Sequence, residues 1–163
     1  MVNTARRTEE KGQRTPRNLD SYKESGGVKG GGYCGCGATF SSKRWRHGER
    51  GELRAGGEEL VCPACRRIAD HNPAGIVSLS GSYFTEHKAE IENQIKNNVE
   101  AEFIKNPLGR IMETVYENNG VTITTTDEKL AEKIGRDVFK SHAGELNITW
   151  SDADSPVRVR WSR

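Results

Sequence analysis

Apolar residues are unevenly spread along this chain of 163 residues: almost none precede Tyr33, and from Gly75 onward they fall into regular periods. Gly75 to Phe84 (G-I-V-S-L-S-G-S-Y-F) reads as a strand, and Thr85 can cap a helix after it. Ile91, Ile95, Val99 and Phe103 recur every four residues and predict one apolar helix stripe. Asn106-Pro107 ends that helix, because a residue before proline avoids the helical region. Arg110 to Tyr116 and Val121 to Thr126 are strand-like runs around Asn118-Asn119-Gly120, a hairpin signal. Thr126 or Asp127 then caps a second helix, with Leu130, Ile134 and Val138 as its apolar face and Gly144 as its left-handed stop. Glu145 to Trp150 and Val157 to Trp161 predict two closing strands, joined by a turn over Asp152 to Pro156. The order β-α-β-β-α-β-β predicts an α+β domain over residues 75–163. Its first six elements follow the ferredoxin-like split β-α-β pattern, with an extra C-terminal strand. Such a domain places its helices on one sheet face and leaves the other free for a partner.

Composition changes the picture for the first half. Hydrophobic residues make up 33% and charged residues 29%, a thin supply for a core of this length. Residues 1–32 carry Arg6, Arg7, Lys11, Arg14, Arg17, Lys23 and Lys29 against Glu9, Glu10, Asp20 and Glu24. They read as a disordered basic tail ending in a glycine-rich linker, either a solubilising end or an RNA-contacting segment that orders on binding. The net charge of +2 announces no partner, so local charge must be read instead. No stretch approaches the roughly 20 apolar residues of a membrane span, and Met1 to Asp20 has no apolar signal region. The expectation is a cytoplasmic protein with no membrane contact.

In a reducing compartment, clustered cysteines point to a metal. Cys62-Pro-Ala-Cys65 has the usual two-residue gap of a ligand pair, and Cys34-Gly-Cys36-Gly37 offers a second pair with a shorter, one-residue gap. The intervening 25 residues can form a hairpin, Ala38 to Trp45 and then Glu52 to Val61, and Arg66 to His71 reads as a short helix. Knuckle, hairpin and a second pair at a helix start is a treble-clef-like order over residues 33–74; a rubredoxin-like ribbon is the alternative. Zn²⁺ on Cys34, Cys36, Cys62 and Cys65 is the expected cofactor, with His47 or His71 able to replace one ligand. Four thiolates close the coordination sphere, so the site reads as structural.

Lys43, Arg44, Trp45 and Arg46 lie on the predicted hairpin, and Arg66 and Arg67 follow the second pair. Arginine forks match phosphate and a tryptophan can stack on a base, although Trp45 can equally pack over the hairpin. Arg158 and Arg160 alternate with Val157, Val159 and Trp161 and face away from the helices. These eight positions are the candidate nucleic-acid contacts. No phosphate-loop, H-E-x-x-H, G-x-S-x-G or G-x-G-x-x-G pattern occurs, and the four histidines show no i, i+4 pairing. Thr124-Thr125-Thr126-Asp127 reads as strand alternation followed by a helix cap. No catalytic residue and no small-molecule substrate is therefore expected.

C-G at Cys36, C-P-A-C-R-R-I at Cys62 to Ile68, P-A-G at Pro73 to Gly75, N-P-L-G-R-I-M at Asn106 to Met112, T-T-T-D-E-K-L-A at Thr124 to Ala131 and V-R-V-R-W at Val157 to Trp161 resemble a family of small prokaryotic zinc-knuckle proteins. That family is distantly similar to the ribosomal large-subunit export adaptor of archaea and eukaryotes, nonsense-mediated decay protein three. The adaptor is longer and has more than one ligand quartet. The resemblance implies zinc knuckles joined to an α+β domain and a ribosomal large subunit as partner. Together these readings predict a non-enzymatic, zinc-containing RNA- or ribosome-binding protein. A zinc-stabilised protein–protein adaptor is the alternative, and a nucleic-acid hydrolase is less favoured because it has no open metal position.

Overall fold

The computed structural model describes residues 6–13, 22, 31–48, 57–151 and 155–163. The chain order is β1 (Arg6–Lys11), β2 (Gly32–Tyr33), β3 (Ala38–Ser41), β4 (Arg44–His47), β5 (Glu58–Glu59), α1 (Pro63–Asp70), β6 (Gly75–Ser80), α2 (Ser82–Glu86), α3 (Lys88–Lys105), β7 (Ile111–Glu117), β8 (Gly120–Thr125), α4 (Glu128–His142), β9 (Gly144–Thr149) and β10 (Val157–Ser162). A small sheet, ordered β4-β3-β2-β5, carries the first cysteine pair beside it. A six-stranded sheet, ordered β1-β9-β10-β6-β8-β7, forms the rest. The architecture is mixed α+β, as the periodicities predict.

The larger sheet buries one face. Val77, Leu79, Val121, Ile123, Leu146, Ile148, Val157, Val159 and Trp161 alternate along their strands and pack with Ile91 and Ile95 of α3 and Leu130, Ile134 and Val138 of α4. The α3 stripe leaves the core toward its end: Val99 is half-buried and Phe103 is exposed beside the ring of His47. Gly135 lets α4 lie close to the sheet, since a Cβ there would stand 2.3 Å from Val159 Cγ1 and 3.2 Å from Leu146 Cδ1. Gly135→Leu should therefore cost about 1–3 kcal/mol through overpacking. Urea denaturation would read this as a lowered midpoint with an unchanged slope.

Three expectations change. A bare split β-α-β arrangement seats the strand after the second helix beside the first strand, with any further strand at the edge. Here β10 lies between them, parallel to β6 and antiparallel to β9. The reason is in its residues: Val157, Val159 and Trp161 are essentially inaccessible, and such a strand gains most where both of its edges are hydrogen-bonded. Trp161 Nε1 also donates to the Ala143 carbonyl at 2.7 Å, which fixes the indole under the α4–β9 junction.

The second change concerns the tail of residues 1–32, expected to be disordered. Arg6–Lys11 is an edge strand parallel to β9. The outer edge of β9 offers unpaired main-chain groups, and β1 satisfies them. Arg136 pairs with Glu10 at 2.8 Å, Arg6 donates to the Lys140 carbonyl at 3.3 Å, and Trp150 N donates to Lys11 O at 2.8 Å. Every β1 side chain is exposed, so apolar patterning carries no trace of the strand. Beyond β1 with its two following residues, Tyr22, Gly31 and the start of β2, the rest of the expected tail lies outside the described residues.

The third change is at Thr85. The first strand stops at Ser80, and Gly81 turns at φ +110°, where a Cβ would meet the Arg163 carbonyl at 2.3 Å. Thr85 then lies inside α2 and donates to the Gly81 carbonyl, while α3 begins without a side-chain cap. At α4 the cap is Asp127, whose carboxylate accepts from Leu130 N at 3.3 Å. Among the described residues, no helix is long and apolar enough to cross a membrane.

Candidate metal centre

Cys34 follows β2 directly. Its amide donates to the Ala38 carbonyl at 2.8 Å, and Gly37 N returns to the Cys34 carbonyl at 2.9 Å. This closes a turn around Cys36 that needs Gly37 at φ +102°, a conformation natural to glycine. The hairpin between β3 and β4 turns through Ser42 and Lys43, both at positive φ, which returns the chain beside the knuckle. Cys62 is the N-cap of α1, with Pro63 at the first helical position and Cys65 one turn on. The Cys65 amide donates to Cys62 Sγ at 3.4 Å, so the helix start turns its free amides toward the sulfurs.

The four sulfurs converge. Cys34 Sγ lies 3.7 Å from Cys65 Sγ and Cys36 Sγ lies 3.8 Å from Cys62 Sγ. All four ligand atoms fall within 4.8 Å of one another, and no cysteine is in a disulfide. Four cysteines so placed can hold a metal ion. Neither His47 nor His71 joins the group. His47 Nε2 meets the Phe103 carbonyl, and His71 is the exposed C-cap of α1. Cys34, Cys62, Ala38 and Ala64 form a small core of their own, with Trp45, Cys65 and Leu108 packed on it.

The thiols of Cys34, Cys62 and Cys65 are shifted in different directions. Burial disfavours the Cys34 thiolate, but amides of Cys36 and Cys62 and the neighbouring thiols outweigh it and bring its pKa down to about 7. Burial pushes the Cys62 thiol up to about 12 and also raises Cys65, against the pull of Arg110. Ligation must therefore displace protons from at least Cys62 and Cys65. Metal affinity, measured by chelator competition at about pH 6 and about pH 8, should be weaker at the acid end. A pH-independent affinity would exclude thiolate ligation.

Among the described residues, Arg110 is a contact of this site that spacing does not reveal. Its Nη2 donates to Cys62 Sγ at 3.2 Å, Cys65 Sγ at 3.5 Å and Cys36 Sγ at 3.6 Å. Burial disfavours the charge on the guanidinium, and the sulfurs of Cys65, Cys62 and Cys36 outweigh that and raise its pKa. Thr126 sets its position: the hydroxyl donates to the Leu108 carbonyl at 2.5 Å and accepts from Arg110 N at 2.9 Å, while Thr126 N donates to Arg110 O at 2.9 Å. The threonine run before α4 thus braces the segment that reaches the cysteines.

The sequence-derived nucleic-acid residues are not one patch. Lys43, Arg44 and Arg46 are exposed on the β3–β4 hairpin. Trp45 is half-buried, with its ring 5.2 Å from that of Phe40 and packed on the cysteine cluster. Arg66 and Arg67 face inward: Arg66 Nη2 donates to the Tyr22 carbonyl at 2.8 Å, and Arg67 stands 4.2 Å over the Tyr22 ring and donates to the Asn72 carbonyl. Tyr22 OH donates to Asp70 at 2.8 Å, so this tail residue is clasped to α1. Arg158 and Arg160 lie on the open face of the large sheet, beside Ile76 and Ser78 of β6 and Thr149 and Asn147 of β9. No family model, no curated protein and no solved structure matches the chain.

Proposed function

We propose that Cys34, Cys36, Cys62 and Cys65 hold one structural zinc ion, and that the protein is a non-enzymatic RNA-binding protein with the ribosome as one form of its target. The sulfur geometry carries the metal half of this reading. Tetrahedral zinc with bonds of about 2.3 Å separates its sulfurs by about 3.8 Å. The paired sulfurs stand at 3.7 and 3.8 Å. Zinc would supply a closed cross-link between the knuckle and α1, in a segment with few apolar residues to fold around. Knuckle, hairpin and a second pair at a helix start follow the treble-clef order. The resemblance to zinc-knuckle proteins related to the large-subunit export adaptor points the same way.

Two exposed basic surfaces support the RNA half. The hairpin tip presents Lys43, Arg44 and Arg46, and the open sheet face presents Arg158 and Arg160 among serines, threonines and Asn147. Arg66, Arg67 and Trp45 are left out of this surface because their side chains pack internally. The test is binding to single-stranded RNA and to ribosomal particles over a range of salt. For a single strand, each phosphate that a variant no longer neutralises should flatten the slope of log affinity against log salt by roughly 0.7. Lys43, Arg44 and Arg46 changed together to Ala, and separately Arg158 and Arg160 changed to Ala, should each flatten it while metal content stays unchanged. If both multiple variants bind as tightly as wild type at every salt concentration, the RNA reading is wrong.

A further inference from the structure

Arg110 carries more than the metal site needs for its ligands. Its guanidinium nitrogen stands 3.2 to 3.6 Å from the sulfurs of Cys62, Cys65 and Cys36 and is hydrogen-bonded to none other. Two sulfur pairs stand at 3.7 and 3.8 Å and all four sulfurs lie within 4.8 Å of one another, so a nitrogen that close to three of them would strike the fourth if it lay inside. It therefore lies outside, capping the face opposite Cys34, where it leaves the interior free for an ion. Four thiolates around a divalent cation leave a formal charge of about −2 in a partly buried site. Among the described residues, Arg110 is the cation in contact with that cluster, and no carboxylate pairs with it.

Its placement is built in advance. Asn106 ends α3, its side chain accepts from Leu108 N at 3.0 Å, and Leu108 packs on the cysteine core. Thr126 then holds both Leu108 and Arg110 through main-chain atoms. The strap of residues 106–110 thus brings one arginine from the α+β domain onto the thiolates of the other module. Such outer contacts orient ligands and tune metal affinity.

Building on the four-cysteine zinc reading, we propose that Arg110 is a positioning and counter-charge residue of the metal centre, which slows metal loss and ties the metal-loaded module to the α+β domain. A consequence is that metal loss frees this arginine and loosens the strap, so the metal state is felt at the α3–β7 junction.

The test uses the full chain as wild type, Arg110→Met and Arg110→Lys. Metal per chain is measured by plasma emission after purification without chelator. Zinc transfer to a chromophoric chelator is then timed, and the amide signals of residues 106 and 108–110 are compared with and without zinc. Arg110→Met should start with the wild-type metal content and bind zinc about 10- to 100-fold more weakly, with faster transfer. Arg110→Lys keeps a positive charge and should recover most of the loss. Removing zinc from wild type should shift the amides of Asn106, Leu108, Gly109 and Arg110, and the shifts at the first three should shrink in Arg110→Met. If wild type holds one zinc and Arg110→Met keeps it equally well, this inference fails while the metal reading stands. If wild type holds no zinc, the metal reading itself fails. Should Arg110→Met not fold, Arg110→Lys carries the test: transfer from it within a few-fold of wild type supports the charge role, and transfer more than about 10-fold faster than from wild type overturns it.

Discussion

Cys62→Ser should abolish metal binding and unfold the module of residues 31–48 and 57–72, while the α+β domain stays folded. Cys62 is fully buried, caps α1 and contributes its sulfur to the cluster. The small core around it consists of two cysteines and two alanines, with a few half-buried neighbours, far too little to fold alone. Structural zinc contributes an apparent free energy of roughly 10–16 kcal/mol in small modules, about the whole of such a segment's stability. The α+β domain has a separate core of 16 buried residues, none shared with the cysteine module. Amide spectra should therefore collapse for the first region and persist for the second. An unchanged spectrum over residues 31–48 would show that the module folds without its metal.

Ile134→Asp should be the most damaging single change in the α+β domain. Ile134 faces the sheet from the middle of α4 and is 2% exposed. An aspartate there would bury a carboxylate with no partner, at a cost of more than about 4 kcal/mol. Ile95→Asp on α3, at 5% exposure, should act in the same direction. Ile134→Val is the control and should cost only about 0.5–1.5 kcal/mol. Thermal unfolding followed by near-ultraviolet dichroism of the aromatic side chains reads all three. A near-wild-type melt for Ile134→Asp would mean that α4 is packed the other way round.

Periodicity and spacing account for what was legible in the sequence. Ile91 and Ile95, and Leu130, Ile134 and Val138, mark the two long helices because a buried face must recur each turn. Val157, Val159 and Trp161 mark β10 for the same reason in strand form. The cysteine pairs are legible because a metal needs closely spaced donors. What stayed hidden depends on contacts between distant segments. β10 enters the sheet interior through pairings with β6 and β9, and the alternation that identifies a strand does not say where in the sheet it lies. β1 is held by its main chain and by the Glu10–Arg136 pair, so it has no apolar signature. Arg110 looks like the first residue of a strand, and only the strap to Thr126 aims it at the sulfurs. Its one trace in sequence is a lone arginine in the short turn after the helix break at Asn106-Pro107. Arg66 and Arg67 read as surface charge until Tyr22 is found docked on α1.

X-ray absorption at the zinc edge, combined with metal content, on protein purified without chelator tests the four-cysteine centre most directly. A structural site of this kind should show one zinc per chain, surrounded by four sulfurs at about 2.3 Å and no nitrogen. The absence of stoichiometric metal, or a first shell containing nitrogen or oxygen in place of a sulfur, would contradict it.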